Sequence, residues 1–341
     1  MQRLGYAAKN AVKNDVLVIG RKRFVVLRGR TAYILLDDKA VENTIKRGIL
    51  LSWIYAFFQG VLQGITEFLP ISSDGHLSLF NHFFGSGTED PLLFVVLLHL
   101  GTLLAVFIMF RKRIWSLILE AGRTIRDIFT GRFSWRGMSN NRRFLIMVVV
   151  SLIPLAVLYF FSDYMEAAAS DDNLWVESVS FIFSGIMMLL AAKAAKSGGL
   201  KRKAITVPAA LAIGFFQGLA ALPGVSRSGS TIAIALLLGY SKSTAVDFSF
   251  IIGIPAILAA NAYKILKFLL SGEQAEPGIA VPIIIGIVVS AVVGLFAIKL
   301  LQLLVKKDKF NIFGIYCIVV GVLCAAVSTA EAVIGHTINF A

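Results

Sequence analysis

The residues best suited to chemistry begin with a short polar cluster inside an apolar stretch. Gln63 and Glu67 are four residues apart, so a helix would place both side chains on one face. Ser72, Ser73 and His76 follow at once, and the last two are neighbours if this stretch is helical. A carboxylate, a hydroxyl and an imidazole so close together suit nucleophilic and general acid–base chemistry.

A second polar stretch supplies the positive charge that the first one lacks. Arg227 presents a planar fork of donors that can bind two phosphate oxygens at once. Ser226, Ser228 and the amides near Gly229 stand at the predicted start of a helix, which is a favourable place for an anion. The two stretches together predict a polar pocket for phosphoryl transfer, with these residues binding the substrate.

The individual roles stay open at this level. Ser73 could attack phosphorus if His76 takes its proton, because histidine exchanges protons near neutral pH. Glu67 could hold a divalent cation or act as the base for water, although a lone carboxylate needs substrate oxygens to complete a metal site. The simpler alternative is that Glu67 pairs with Arg227 and that the serines only cap helices.

The elements that must position these residues are apolar helices. Of the 341 residues 57% are hydrophobic and 16% are charged, against roughly 45–50% and about 25% in a soluble domain. Mean hydropathy is +0.80. Apolar runs of 16 to 23 residues are almost free of charge, and about 20 such residues span a ~30 Å hydrocarbon core. This composition argues against a disordered chain, a disulfide scaffold or a soluble enzyme.

The net charge of +13 reflects membrane topology rather than binding to nucleic acid. Residues 111–143 carry nine Lys/Arg, 193–203 carry five and 299–309 carry four, and such basic loops belong in the cytoplasm. Residues 163–177 carry acids and no base, so they are predicted outside. The basic loops match no nucleic-acid-binding motif.

The charge alternation predicts an all-α polytopic integral membrane protein with two unusual segments. Residues 50–85 and 204–240 each consist of an apolar arm, a break rich in Pro, Gly and Ser, and a shorter arm, which is typical of a re-entrant helical hairpin. Gly286, Ser290 and Gly294 recur every four residues and predict a close-packed helix face. Six transmembrane helices are predicted at 91–110, 144–162, 178–195, 248–263, 279–298 and 312–334.

The two broken segments are similar in sequence. A Gln-Gly pair precedes a serine-rich turn in each, and eleven residues separate Gly64 from Gly75 and Gly218 from Gly229. Their predicted entry from opposite sides is the pattern of inverted-topology repeats, which meet near the membrane midplane. The predicted repeats cover about 50–195 and 204–334.

The first 47 residues differ from the rest. They are polar and basic, and they are either a small soluble appendage or the result of an over-early translation start. The remainder, 48–341, is predicted to be a single membrane domain. Three short runs of the leader are β-like: Val16–Ile19, Phe24–Leu27 and Ala32–Leu36.

Two stretches carry a resemblance to a known family. Gly64–His76 and Pro223–Thr231 resemble the two signature motifs of the bacterial undecaprenyl-pyrophosphate phosphatases, which are associated with bacitracin resistance. The runs His99–Thr102 and Phe248–Phe250 also fit that family. The resemblance covers about residues 50–334.

The resemblance implies a hydrolase of the bacterial inner membrane that converts undecaprenyl pyrophosphate to undecaprenyl phosphate and phosphate. It further implies a site facing the outer side and a divalent cation, Mg or Ca. The family's first motif has Glu or Gln and then Glu four residues later, and Gln63 and Glu67 occupy those positions. Its motif serine, histidine and arginine fall on Ser73, His76 and Arg227.

Two residues need separate interpretation. Asp74 stands where the family commonly has a small residue, and it could add a second carboxylate near the cation or cap the following helix. His99 lies in the middle of an apolar span, where an interhelical hydrogen bond is the expected role.

A second class of function stays open. Inverted repeats with broken helices are also a transporter architecture, so a transporter or flippase for polyprenyl phosphate lipids is the alternative. Either function implies a polyprenyl lipid substrate and membrane lipid as partners, with a homodimer as a further possibility.

Overall fold

The computed structural model describes residues 16–19, 22–26, 33–36, 38–84, 91–161, 164, 173–197, 202–271 and 280–338. The predicted outer acids at 89–90, at 163–172 and at 273–276 lie outside these residues. The chain divides into two compact units, Met1–Tyr55 and Ala56–Ala341. The predicted domain boundary after residue 47 stays a prediction.

The first unit contains the β-structure that the leader's sequence predicts. Strands β1 (Val16–Ile19), β2 (Lys22–Val26) and β3 (Tyr33–Leu36) form an antiparallel meander. Val16 pairs with Val25, and Val26 pairs with Tyr33.

The described part of the second unit is helical. A one-turn 3₁₀ helix, Leu219–Ala221, follows the sixth of ten helices. The ten are α1 (Asp38–Phe68), which begins in the first unit, α2 (Ser73–Phe84), α3 (Pro91–Phe129), α4 (Asn140–Tyr159), α5 (Trp175–Lys196), α6 (Val207–Gly218), α7 (Arg227–Leu237), α8 (Lys242–Ser271), α9 (Ala280–Lys306) and α10 (Asn311–Ile334).

Six of these helices, α3, α4, α5, α8, α9 and α10, are long and apolar enough to cross a membrane. The six predicted crossings are therefore confirmed, and the protein is a multi-pass membrane protein. Two expected loop regions are corrected. Helix α3 continues to Phe129 after a kink at Phe110, so 111–129 is helical. Glu177, assigned to an acidic loop, lies in the first turn of α5 and is buried.

Both broken segments are helix–break–helix units, as predicted. In the first, α1 ends at Phe68 and α2 begins at Ser73. In the second, the chain leaves α6 and its 3₁₀ turn at Ala221 and α7 begins at Arg227. This geometry is compatible with two re-entrant hairpins, and their entry from opposite sides stays a prediction.

The first arms of the two broken segments pack in equivalent ways. Gly60 and Gly64 of α1 lie against backbone carbonyls of α9, where a methyl group would stand 2.9 and 2.8 Å from the oxygens. Gly214 of α6 lies against the Ser151 carbonyl of α4 in the same manner. Since α4 and α9 are equivalent in the two predicted repeats, each repeat's first arm packs on the other repeat. Small residues permit this approach of backbones, which confirms the predicted close-packed face of α9.

Candidate active site

The two breaks touch each other within the second unit. Ser72 adopts a left-handed backbone with φ of 69°, and its Oγ accepts hydrogen bonds from the amides of Gly75 (3.3 Å) and Gly224 (3.2 Å). A methyl group on Gly75 would come within 2.8 Å of Gly224 Cα. The absence of side chains at both glycines therefore lets the first motif reach the second.

Glu67 is the centre of the polar cluster. Only 4% of its side chain is exposed, and a buried carboxylate needs partners. Its Oε2 accepts from Gln63 Nε2 (3.1 Å) and from Ser73 Oγ (2.7 Å), and its Oε1 accepts from Arg227 Nη2. His99 Nε2 lies 3.5 Å from Oε2. The predicted ion pair between Glu67 and Arg227 thus joins the two motifs in one polar cluster.

Arg227 is fixed by the start of helix α7. Ser226 is the N-cap, and its Oγ accepts from the amide of Gly229 at 3.1 Å, as N-cap residues do. The Ser226 amide itself donates to Ser184 Oγ at 3.0 Å. The guanidinium of Arg227 passes Gly253 of α8, where a methyl group would lie 1.9 Å from Nη1. Helix α8 therefore leaves the arginine room only because residue 253 has no side chain.

The remaining substrate-binding candidates surround this pair. Ser228 lies in the first turn of α7 and is buried, as is Gln63. Gln63 Oε1 is buried and has no hydrogen-bond partner among the described residues, so one acceptor next to Glu67 is free for a ligand.

His76 does not contact the Ser73 hydroxyl in this arrangement. Its Nδ1 lies 2.7 Å from the Ser72 carbonyl oxygen, which can only accept, so Nδ1 carries the proton. Its Nε2 lies 2.7 Å from Tyr316 Oη and accepts from it. The ring stacks on Tyr316 (centroids 5.7 Å apart) and meets the edge of Phe181. The proton of the Ser73 hydroxyl is directed to Glu67 instead.

Sequence reasoning missed two neighbours of the site, Tyr316 and Gly253, and the approach of a third, His99, to Glu67. The expected interhelical hydrogen bond of His99 is replaced by one from Nδ1 to Val95 O in its own helix, at 2.9 Å, which turns Nε2 toward Glu67. Tyr316 and Gly253 lie in apolar spans far along the chain. A histidine in the middle of an apolar span was the one available signal.

The described residues offer a partial ligand set for a divalent cation. No group of three His, Cys, Asp or Glu side chains within them is placed to hold a metal. Glu67 and the free Gln63 Oε1 are oxygen ligands of the kind that Mg²⁺ and Ca²⁺ prefer. Asp74, in the first turn of α2, is half exposed and lies 3.9 Å from His99. The donor chemistry fits such a cation if other oxygens complete its coordination.

This fold and site define a class of protein: a multi-pass helical membrane protein whose two broken segments bring a carboxylate, a serine and a guanidinium into contact. Charged groups at membrane depth are expensive and mark function. The chain belongs to the bacitracin resistance protein BacA family, whose pattern matches residues 56–323 and so includes both motifs.

Named relatives agree with this membership. The undecaprenyl-diphosphatase of Bacteroides thetaiotaomicron is 35% identical over 278 residues, covering 80% of this chain and 97% of that protein. That of Desulfosudis oleivorans is 36% identical over 263 residues, covering 77% and 93%. That of Streptococcus thermophilus is 32% identical over 294 residues, covering 84% and 96%. The resemblance drawn from the two motifs is confirmed.

Proposed function

We propose that this protein hydrolyses undecaprenyl pyrophosphate to undecaprenyl phosphate and inorganic phosphate, as an undecaprenyl-diphosphatase. The observation that carries the proposal is the buried contact of Glu67 with both Ser73 and Arg227. It unites a carboxylate, a hydroxyl and a phosphate-binding cation from the two motifs. Membership of the family and the names of the relatives support the same activity.

Arg227 binds the pyrophosphate in this proposal. A guanidinium has five N–H donors, and the described contact with Glu67 uses Nη2, so the other donors can engage phosphate oxygens. The side chain is 20% exposed, which gives a ligand access to it. Ser226 and Ser228 bind the terminal phosphate at the start of α7, and the polyprenyl chain lies in the lipid between helices.

The contacts of Ser73 favour a serine nucleophile with Glu67 as its base. Ser73 Oγ attacks the terminal phosphorus, its proton passes to Glu67, and the bond to the bridging oxygen breaks to release undecaprenyl phosphate. Water then hydrolyses the phosphoserine and releases phosphate. Attack by water or by His76 is the alternative, and His76 would first have to leave its contacts with Ser72 and Tyr316.

We propose that a divalent cation, Mg²⁺ or Ca²⁺, binds with the substrate. Glu67 and Gln63 Oε1 would hold it, and Asp74 is near enough to the cluster to add negative charge. Such a cation would neutralise part of the charge on the phosphates. Because the protein offers few ligands, the substrate's own oxygens complete the coordination, and binding of cation and substrate should be cooperative.

The orientation proposed is that of an inner-membrane enzyme whose site opens to the outer side. The basic segments 111–143, 193–203 and 299–309 are placed in the cytoplasm, and the opening of the site to the outer side is what the resemblance to the family implies. A homodimer is proposed only as a possible assembly. The alternative of a polyprenyl phosphate flippase is not favoured, because the relatives described above are named for a diphosphatase activity.

The experiment that tests the function measures phosphate release from undecaprenyl pyrophosphate by the purified protein, with and without a chelator. We expect release that stops with the chelator and returns with excess Mg²⁺ or Ca²⁺. Translocation of the lipid without hydrolysis would instead establish the flippase. Hydrolysis that is insensitive to the chelator would support the proposed enzyme activity and contradict the proposed cation.

A further inference from the structure

One strongly basic segment of the chain plays no part in the proposed reaction. Residues 111–143 carry nine Lys/Arg and two acids. Helix α3 has 39 residues, a length of about 58 Å at ~1.5 Å per residue, which is nearly twice the ~30 Å of a hydrocarbon core. The kink at Phe110 divides it. We call the part after the kink, Arg111–Phe129, the α3 extension.

The acids of the α3 extension face the protein. Glu120 is buried, and Arg142 of α4 donates to Glu120 Oε1 at 3.0 Å and to Asp127 Oδ2 at 2.7 Å. Arg142 thus engages both carboxylates, and the more exposed Arg123 and Arg126 also lie 3.8 Å from Glu120 and 3.4 Å from Asp127. The remaining bases of the segment keep a large excess of positive charge.

The opposite face is apolar, and the described residues leave it uncovered. Trp115, Ile118, Ile125 and Phe129 are separated by three, seven and four residues, which places them on one side of a helix. Their exposed fractions are 62%, 53%, 55% and 87%. Isolated exposed apolar residues need no explanation, but an aligned stripe of this size does.

Bases border the apolar stripe. Lys112, Arg123 and Arg126 are exposed on the same helix, and the following loop presents Trp135, which is 67% exposed. A helix with tryptophan and phenylalanine on one face and bases beside them lies in the interface of a membrane that contains anionic lipid. The charge complementarity selects acidic headgroups as its partner.

A cavity lined in part by the loop that follows the α3 extension has the matching chemistry. Its volume is about 290 Å³, and Arg143 is the single charged residue in a lining that is otherwise almost wholly apolar. Its walls come from the α3–α4 loop, the start of α4 and the start of α6. They are formed by Trp135, Met138, Ile146, Met147 and residues 204–207.

We propose that the α3 extension lies on the cytoplasmic surface of the membrane and binds acidic phospholipids, one of which places its phosphate at Arg143 and its upper chain in the adjacent cavity. This is a second lipid-phosphate site, separate from Glu67 and Arg227. It anchors the cytoplasmic end of α4, and it does not depend on the proposed hydrolysis.

The first test measures lipid selectivity. The purified full chain is reconstituted in phosphatidylcholine with a minor share of phosphatidylglycerol, and native mass spectrometry counts the lipids retained. Substituting Lys112, Arg123, Arg126 and Arg143 by Gln should lower retained phosphatidylglycerol roughly tenfold. The matched control substitutes Lys299, Lys306, Lys307 and Lys309 by Gln. Equal losses in both variants, or no loss in the first, would overturn the proposal.

The second test needs no charge variant and so remains decisive if that variant folds poorly. A spin label is attached to Ile125→Cys in a chain whose two native cysteines are replaced by serine. In vesicles that contain phosphatidylglycerol, the label should be accessible to oxygen and shielded from a water-soluble nickel complex. A label that the nickel complex reaches freely lies in water or beside a soluble acidic partner. Either outcome would contradict lipid binding.

Discussion

At the residue scale, the site depends on one carboxylate shared by several donors. Glu67 accepts from Gln63, Ser73 and Arg227 and has His99 nearby. The simpler interpretation of the sequence, an ion pair, is therefore correct as geometry. It is not an alternative to function, because the same carboxylate also receives the hydroxyl that the proposed reaction uses.

Replacing Arg227 by Lys separates charge from shape. Lysine keeps a positive charge beside the buried Glu67 but loses the planar fork that holds two phosphate oxygens. We expect kcat for phosphate release to fall about 100-fold or more, with a melting temperature close to that of the unaltered protein. Near-normal turnover would contradict the proposed role of Arg227 in binding the phosphate.

Replacing Ser73 by Ala tests the covalent route. If Ser73 Oγ attacks phosphorus, release should fall at least about 10³-fold, and trapping with labelled substrate should give no phosphoprotein. The folded state should persist, since Ser73 is only half-buried and Glu67 keeps its contact with Arg227. Substantial remaining turnover would assign the attack to water or His76.

At the element scale, glycines decide which helices can approach the site. The guanidinium of Arg227 lies against α8 at Gly253, and the second break lies against α5 at Gly224. Neither glycine could do chemistry itself. Both nevertheless set where the phosphate-binding group stands.

Replacing Gly253 by Ala should move Arg227. The added methyl group would lie 1.9 Å from Nη1, so the guanidinium must shift, and a misplacement of about 1 Å costs roughly 100-fold in rate. The measurement is kcat for phosphate release. Gly122→Ala is the matched control on α3, where nothing lies within 4 Å, and it should leave the rate unchanged. A loss in the control, or none at Gly253, would contradict the packing argument.

Replacing Gly224 by Ala should push the second break away from α5. The residue has φ of 94°, and a methyl group would lie 2.7 Å from Ser180 Cβ. Thermal unfolding should show a destabilisation of about 1–3 kcal/mol from overpacking, beyond the cost of the backbone angle. Gly131→Ala, with φ of 68° and open space around it, measures the loss of stability that the positive backbone angle causes without a clash. Equal losses in the two variants would argue against a close approach.

At the scale of the whole molecule, the six spans and the two broken segments determine which connecting segments lie on the same side of the membrane. The basic segments assign the cytoplasm, and the pairing of each first arm with a helix of the other repeat agrees with inverted repeats. One consequence can be measured directly.

A cysteine at position 170 should react with a membrane-impermeant maleimide added outside intact cells, because residues 163–177 are predicted outside. A cysteine replacing Arg136 should react only after the membrane is opened. Both changes are made in a chain without its two native cysteines. The opposite pattern of labelling would reverse the topology and place the site on the cytoplasmic side.

Much of this protein could be predicted because the relevant signals are local. Apolar runs of membrane length predicted the six spans, and Pro, Gly and Ser predicted the two breaks. The four-residue spacing of Gln63 and Glu67 predicted their shared helix face, and the motif residues fell on the two breaks. Each of these signals lies within one element, where periodicity and composition apply.

The tertiary structure decided which distant residues complete the site. His99 turns to Glu67, Tyr316 binds His76, and Gly253 makes room for Arg227, although all three lie in apolar spans with no spacing that links them to the motifs. It also decided that Glu177 is buried and that the α3 extension is helical. These contacts join residues tens to hundreds of positions apart, and the packing of helices, not the pattern within any one of them, brings such residues together.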